Sequence, residues 1–476
     1  MATLGPIHAG TPIDLGGVAL RAGSGGGPGH VRPASEPQHP TPTSNPAPSP
    51  ADVIRAWPSD QPLGVVYRAG DHDVSRCTLL VKPCDTRFVL ASRESDPLGE
   101  IERTWASTRK ARASCWAAEP CETIGQGWLT AMSYELGRWI EPSVGCTARV
   151  AASQPLAVLQ RFEAALAFDH TSGRWSVAGN PQELPRLDLD PLARAERAKE
   201  TPPSVHITEP TDDSRRRYES TVARAIEYIR AGDVFQVNLA HALHATFAGD
   251  RRRLAAALLE SSGAWHGSYI ELDHRRAILS LSPELFVDYR DQERRAVMRP
   301  MKGTRPATHD PGELARSPKD HAELAMIIDL VRNDLGRVAD FGSVRVEHER
   351  AIEHHGGANP SHGVWQGVAT IAASLRAGMG PIDLVRAAFP SGSVTGAPKV
   401  RAMQIIDELE GFARGFYCGS LGVASDIGDL ALSVAIRTAM IEDDRVVFPV
   451  GAGIVADSSP ADEWRETLAK SGVLRG

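Results

Sequence analysis

From Asp212 to the C-terminal end, stretches with helical periodicity alternate densely with strand-like runs. That alternation restricts the chain to an α/β (α+β) fold, in which strands gather into sheets and helices cover them. Tyr218, Val222, Ile226 and Ile229 recur at three- and four-residue spacing, Gly232 supplies a stop, and the strand-like run Val234–Leu239 follows directly. Ser317-Pro318-Lys319-Asp320 has the form of a capping box with proline at the first helical position, and predicts a helix running to about Asp340. Upstream, short β-like runs separated by turns occupy about 60–190: Leu63–Tyr67, Thr78–Val81, Phe88–Leu90, Leu156–Leu159 and Ala164–Ala167. A Pro- and Asp-rich stretch, Pro185–Pro203, reads as a connector. Residues 1–58 are dominated by Gly, Pro, Ala and Ser, a composition that cannot offset the entropy of ordering, so a disordered tail is expected there. The expected organisation is thus a tail at 1–58, an N-terminal region at 59–200 and a main region at 205–472, with no repeat of solenoid period.

Of the 476 residues, 42% are hydrophobic and 23% charged, enough apolar material for a large core. A net charge of −7 provides no basic footprint, so no nucleic-acid partner is expected, and an anionic substrate would need a locally positive pocket or a metal. No stretch approaches the ~20 apolar residues of a membrane span, and the N-terminus makes a poor secretion signal. The six cysteines (Cys77, Cys84, Cys115, Cys121, Cys146 and Cys418) have neither paired nor zinc-like spacing, which suits reduced thiols in a cytoplasmic protein.

Several residues stand out against their surroundings. On a wheel at about 100° per residue, Ile327, Val331 and Ile328 fall within about 140° of Glu323 on one side and Met326 and Leu330 within about 60° on the other. Glu323 therefore lies inside an apolar stripe, while Asp329 and Arg332 lie opposite. A buried carboxylate needs a cationic partner, a proton or a metal. Near the C-terminus Ser459-Pro460-Ala461-Asp462 again resembles a cap, and Glu463 and Glu466 follow on one helix face. Two carboxylates ~4 Å apart repel by about 4 kcal/mol at an effective dielectric near 20, so they either invite a cation or stay solvated. All-oxygen donors with open positions suit Mg²⁺. The turn Ser391–Lys399 precedes a helix, so its amides and Lys399 form either an anion site or a plain chain reversal. Gly451-Ala452-Gly453 follows the strand Arg445–Phe448, and Arg437 stands among apolar neighbours in want of a carboxylate, whether from protein or ligand.

Five segments, Ser282–Phe286, Pro300–Pro306, Asp329–Leu335, Gly396–Met403 and Gly451–Ser458, resemble in register the chorismate-utilising enzymes, a family that includes anthranilate, aminodeoxychorismate, isochorismate and salicylate synthases. Gly127-Trp128 and Tyr134–Arg138 are similar to the N-terminal region of the amine-adding members. The resemblance implies a large two-sheet β-sandwich flanked by helices, with the site in a cleft between sheets. Where water-adding members carry a lysine base this chain has Gln236, which cannot deprotonate water. In the Pro-x-x-Gly-Thr-Arg turn it has Lys302, as aminodeoxychorismate synthases do. The resemblance implies that Lys302 attacks C2 of chorismate, that Glu284 protonates the departing 4-hydroxyl, and that ammonia then enters at C4. Glu323, Glu463 and Glu466 would hold Mg²⁺. Gln236, Thr304, Thr395, Gly396, Lys399, Tyr417, Arg437 and Gly453 would contact substrate.

Two departures from the family pattern are Gln366, where a histidine is frequent, and Ala307, where an arginine is common. The histidine- and glycine-containing stretch Glu353–His362 reads as a longer loop, and Leu90–Ser95 keeps only the Glu-Ser of the strand linked to tryptophan inhibition, so such inhibition is not expected. No glutaminase nucleophile elbow is present, so ammonia would come from a glutamine amidotransferase subunit. The alternatives are an anthranilate synthase large subunit and a non-catalytic paralogue that only binds chorismate or an amidotransferase.

Overall fold

The structure, a computed structural model, describes residues 47–70, 76–91, 96–110, 124–145, 154–190, part of 193–200, 203–356 and 363–475. Among these residues the strands form two sheets, of eleven and ten strands, with antiparallel pairing throughout. Each sheet draws strands from both halves of the chain. In the larger, Gly64–Tyr67 pairs with Gly267–Glu271; in the smaller, Gly127–Met132 pairs with Ser420–Ser425. The regions expected at 59–200 and 205–472 therefore do not fold side by side; their strands interleave.

Alternation along the strands builds the layers. Val65 and Leu80 face one hydrophobic cluster with the helices Pro50–Ala56 and Arg251–Ser262, while their neighbours Val66, Leu79 and Val81 meet Leu129, Phe162 and Val423 of the other sheet. Ala131, Val158 and Leu421 pack on Ile270 and Ile278 in a further inter-sheet cluster. The outer face of the smaller sheet, carrying Trp128, Leu159, Val287 and Met298, is covered by helices that include Pro97–Ala106, Pro318–Gly336 and Pro381–Ala388. The result is a two-sheet sandwich flanked by helices, as the resemblance implies.

Four of the five strand-like runs upstream lie within strands and the fifth, Leu63–Tyr67, is a strand from Gly64 on; the helix Asp212–Arg230 buries Tyr218, Val222 and Ile226 before Gly232 turns the chain at φ 86°. Other expectations change. Pro50–Ala56, within the stretch expected to be disordered, is a helix with a Ser49/Asp52 capping box and buried Val53 and Ile54. The connector forms no strand among the described residues of 185–203, yet buries Leu187 and Leu189. The Pro318 helix ends at Gly336 rather than near Asp340; Ser317 caps it, but Asp320 turns its carboxylate to Arg305 instead of closing a box. Ser459 makes no side-chain cap at all. Cys77 is disulfide-bonded, contrary to the expectation of reduced thiols, while Cys84 and Cys418 are free; Cys115, Cys121, Cys146, Ser92–Ser95 and Gly357–His362 lie outside the described residues. No described helix is long and apolar enough to cross a membrane.

Candidate active site

The strand Met301–Pro306 lies at the edge of the smaller sheet, paired with Val364–Ser374, where Lys302 faces Gly367. A register shift and Gly303, at φ 78°, kink the strand just beyond Lys302; a side chain there would strike Leu314 and Asp320. From the larger sheet come the start of Gln236–Ala248 and the end of Arg445–Ile454, which pair so that Gly453 stands opposite Asn238. A Cβ on Gly453 would lie 3.0 Å from Gln236 Nε2 and 3.3 Å from Lys302 Nζ. The bare glycine is what lets the amide and the amine converge. Gln236 is fully buried, yet among the described residues neither its amide nitrogen nor its amide oxygen has a hydrogen-bond partner. A buried amide left open on both atoms is costly and awaits a ligand.

Burial pushes the Lys302 amine below its usual range and neighbouring Lys470 reinforces this, against the pull of Glu323, Glu284 and Glu466. Glu284, just before the strand Leu285–Arg290, is 3% exposed, and burial lifts its carboxyl to about 7 although a Ser393 hydrogen bond and the Lys302 charge oppose the rise. Ser393 Oγ donates to Glu284 Oε1 at 2.6 Å, and Ser391 Oγ lies 3.0 Å from Ser393 Oγ. A carboxylic acid poised near neutrality beside an amine with a depressed pKa is a pairing suited to acid-assisted nucleophilic chemistry.

Two helices bring the acidic residues. Glu323 on Pro318–Gly336 is half-buried, whereas Asp329 and Arg332 on the opposite side are exposed and pair with each other, as the wheel predicts. Pro460–Lys470 brings Glu463 and Glu466. Burial raises the Glu463 carboxyl, and like charge on Glu466 adds to the rise; at Glu466 burial also pushes upward, but Lys470 outweighs it and holds the group low. Lys319 stands 3.9 Å from Glu323 and Lys470 2.8 Å from Glu466, so lysines balance two of the three carboxylates. Among the described residues no three His, Cys, Asp or Glu side chains form a closed metal cage. The donors themselves, carboxylates on two helices that both act on Lys302, fit a hard oxygen-seeking cation in kind. Sequence reasoning missed Lys470, which donates to Gly451 O at 2.7 Å; its position four residues after Glu466 on the same helix was the available signal.

The remaining expected contacts divide. Arg437 sits in a left-handed turn (φ 51°) and has no ion-pair partner among the described residues; burial lowers its pKa. Tyr417 is buried with its hydroxyl against Gly451, 2.9 Å from where a Cβ would be. Gly396, at φ 140°, admits the Gln236 carbonyl to 2.1 Å of its would-be Cβ, so it holds the Gln236 strand in place. Thr395 is fully buried and its hydroxyl is committed to Ser391 O. Thr304 is exposed. Lys399 does not form an anion site: its amine is bound to Asp334 Oδ2 at 2.7 Å and Ala388 O at 2.8 Å in a nearly buried pair. Gln366 is buried on the strand beside Lys302, opposite Thr304.

Residues 69–476 match the family described as chorismate binding enzyme. The chain is 44% identical over 264 residues to aminodeoxychorismate synthase component 1 of Klebsiella aerogenes, a match covering 54% of this chain and 56% of that protein. It is 41% identical over 268 residues to anthranilate synthase component 1 of Aquifex aeolicus, covering 55% and 52%. These matches span little more than half the length of either relative. Among solved structures, anthranilate synthase component I of Streptococcus pneumoniae has a similar fold, with a TM-score of 0.68 at 23% identity over 84% of this chain and 92% of that one.

Proposed function

The chain belongs to the chorismate binding enzyme family, and we propose that it is the amine-adding large subunit of an aminodeoxychorismate synthase, converting chorismate and ammonia to 4-amino-4-deoxychorismate. The observation that carries the reading is the meeting of a desolvated Lys302 amine with Glu284, a buried acid held near neutrality. At its ordinary pKa of ~10.4 a lysine is almost wholly protonated at pH 7; desolvation frees its lone pair for attack. That lone pair forms a bond to C2 of chorismate, the two conjugated ring double bonds each shift by one position, and the C4–O bond breaks. Glu284 gives its proton to the departing hydroxyl, which leaves as water. Ammonia then bonds to C4, both double bonds return, the C2–N bond breaks and Lys302 is released, a proton from the new ammonium going back to Glu284.

Arg437, with no protein carboxylate of its own, is the cation for a substrate carboxylate. The open amide of Gln236 binds the ring beside Lys302 and, unlike a lysine, cannot activate water. Glu323, Glu463 and Glu466 would hold Mg²⁺, which when bound supplies positive charge to neutralise the ring carboxylate. Ammonia would arrive from a glutamine amidotransferase subunit, and the product would serve 4-aminobenzoate and folate synthesis in the cytoplasm. The test uses purified protein with chorismate, Mg²⁺ and ammonium. A product that an aminodeoxychorismate lyase converts to 4-aminobenzoate, and a covalent adduct lost in Lys302→Ala, are expected. Anthranilate with pyruvate would overturn the reading, as would chorismate binding without turnover.

A further inference from the structure

His355 ends the strand Arg345–His355, whose pairing sets Glu353 opposite Gln366 and His355 opposite Val364. Glu353, His355 and Gln366 therefore share one face of the sheet. The imidazole is 4% exposed and stacks on the Trp265 ring, with centroids 4.0 Å apart and planes at 29°. Among the described residues Nδ1 has no hydrogen-bond partner, while Nε2 lies 3.4 Å from Glu353 Oε2. Glu353 pairs through Oε1 with Arg299, itself 4% exposed, and turns Oε2 to the imidazole. Trp265 fixes the address of this group. The next residue, His266, donates its amide to Ser282 O, and Leu281 donates to the carbonyl of Arg437. The stack thus carries the end of the edge strand to the turn that presents the unpaired Arg437 guanidinium, and the charge of Arg437 acts on His355.

We infer that His355 is a second ligand, beside Arg437, for a carboxylate of the substrate, oriented by Trp265 and by the Glu353–Arg299 pair. This rests on the reading of the cleft as a chorismate site. A buried imidazole with Nδ1 open and a part-buried guanidinium with no ion-pair partner among the described residues, on adjoining elements, form a built receptor for one anion, since both can donate to the same acceptor. The proton follows from the geometry. The one N–H of the neutral ring points toward Glu353, so Nδ1 can donate to an incoming carboxylate only after taking up a proton. Burial first, then Arg437 and Arg299, keeps the free imidazole below its usual pKa, with Glu353 alone pulling upward. A bound carboxylate adds a second pull, and the ring charges as the ligand arrives. His355 is a positioning and binding residue; it forms and breaks no covalent bond.

The experiment is calorimetric titration of the whole chain with chorismate at neutral pH in buffers of different ionisation enthalpy. The wild type is expected to take up a fraction of a proton on binding. His355→Phe, which keeps the stack on Trp265, and His355→Gln, which keeps a neutral donor, are expected to lose that uptake and to bind about tenfold or more weakly, the cost of a hydrogen bond between charged groups. His355→Gln should recover part of the affinity relative to His355→Phe but none of the proton. Unchanged proton uptake in both folded variants would overturn the inference, as would unchanged affinity. Failure of the wild type to bind chorismate would instead strike the proposed function, and the two failures are therefore distinct.

Discussion

Replacing Glu284 by glutamine should make the protein less sensitive to rising pH. Burial lifts this carboxyl from 4.5 to about 7, and the side chain sits in a space from which water is excluded. In the unfolded chain the same group ionises near its ordinary value. Because the folded value is the higher one, the stability held by the neutral acid is fully present below the unfolded pKa. It erodes as pH rises and is gone once pH passes the folded value of about 7. At about 1.36 kcal/mol per unit, the rise corresponds to about 3 kcal/mol lost by the wild type between the two values. Glutamine fills nearly the same volume, still accepts from Ser393, and does not ionise. Paired urea or thermal melts of wild type and Glu284→Gln from pH 4.5 to 8 should show a difference that moves steadily in the variant's favour up to about pH 7 and then levels. A chain of this size need not melt in one step, so the comparison is between the two proteins at each pH. A difference that stays constant across the range would refute a buried, near-neutral Glu284.

Ser393→Ala removes a donor that favours the ionised carboxylate, so the Glu284 pKa should climb above its present value of about 7, by about one unit. Infrared titration of the carboxyl band, assigned by its loss in Glu284→Gln, reads this directly. Lys399→Met should destabilise the fold by about 3–5 kcal/mol through the orphaned Asp334, without weakening chorismate binding in the protein that remains folded. Burial already raises Asp334 to about 6, and loss of Lys399 raises it further, so the melting-temperature deficit should be smaller at pH 5 than at pH 8. Glu466→Gln should raise the Mg²⁺ concentration for half-maximal activity about tenfold or more, read by metal titration of turnover.

The parts of the site that depend on local pattern were legible in the sequence. The wheel alone put Glu323 among apolar neighbours, and the structure leaves it half-buried with Asp329 exposed across the helix. The resemblance singled out Lys302, Glu284, Gln236 and Gly453, and the fold gathers Lys302, Gln236 and Gly453 about one point and sets the Lys302 charge to act on Glu284. Partner choice across the fold was not legible. Lys399 reads as a turn lysine before a helix, and only tertiary packing brings Asp334, 65 residues earlier, to its amine. Asp320 fits a capping box, but Arg305 offers its carboxylate a charged donor that the backbone amide cannot match. His355 looked like part of a loop because the tryptophan that stacks on it lies 90 residues earlier, in the turn before the strand Gly267–Glu271.

The interleaving of the two halves decides what can be cut from this chain. A fragment beginning near residue 205 would keep every residue assigned to the chemistry, yet strip the partners from Gly267–Glu271 in one sheet and Ser420–Ser425 in the other. Both strands are buried along their whole length. Each would become a raw, apolar edge, and two such edges on one molecule are templates for joining to the next. Such a fragment should aggregate as chains of molecules rather than persist as a weakened binder of chorismate, because the first half of the protein is what gives the second half an end.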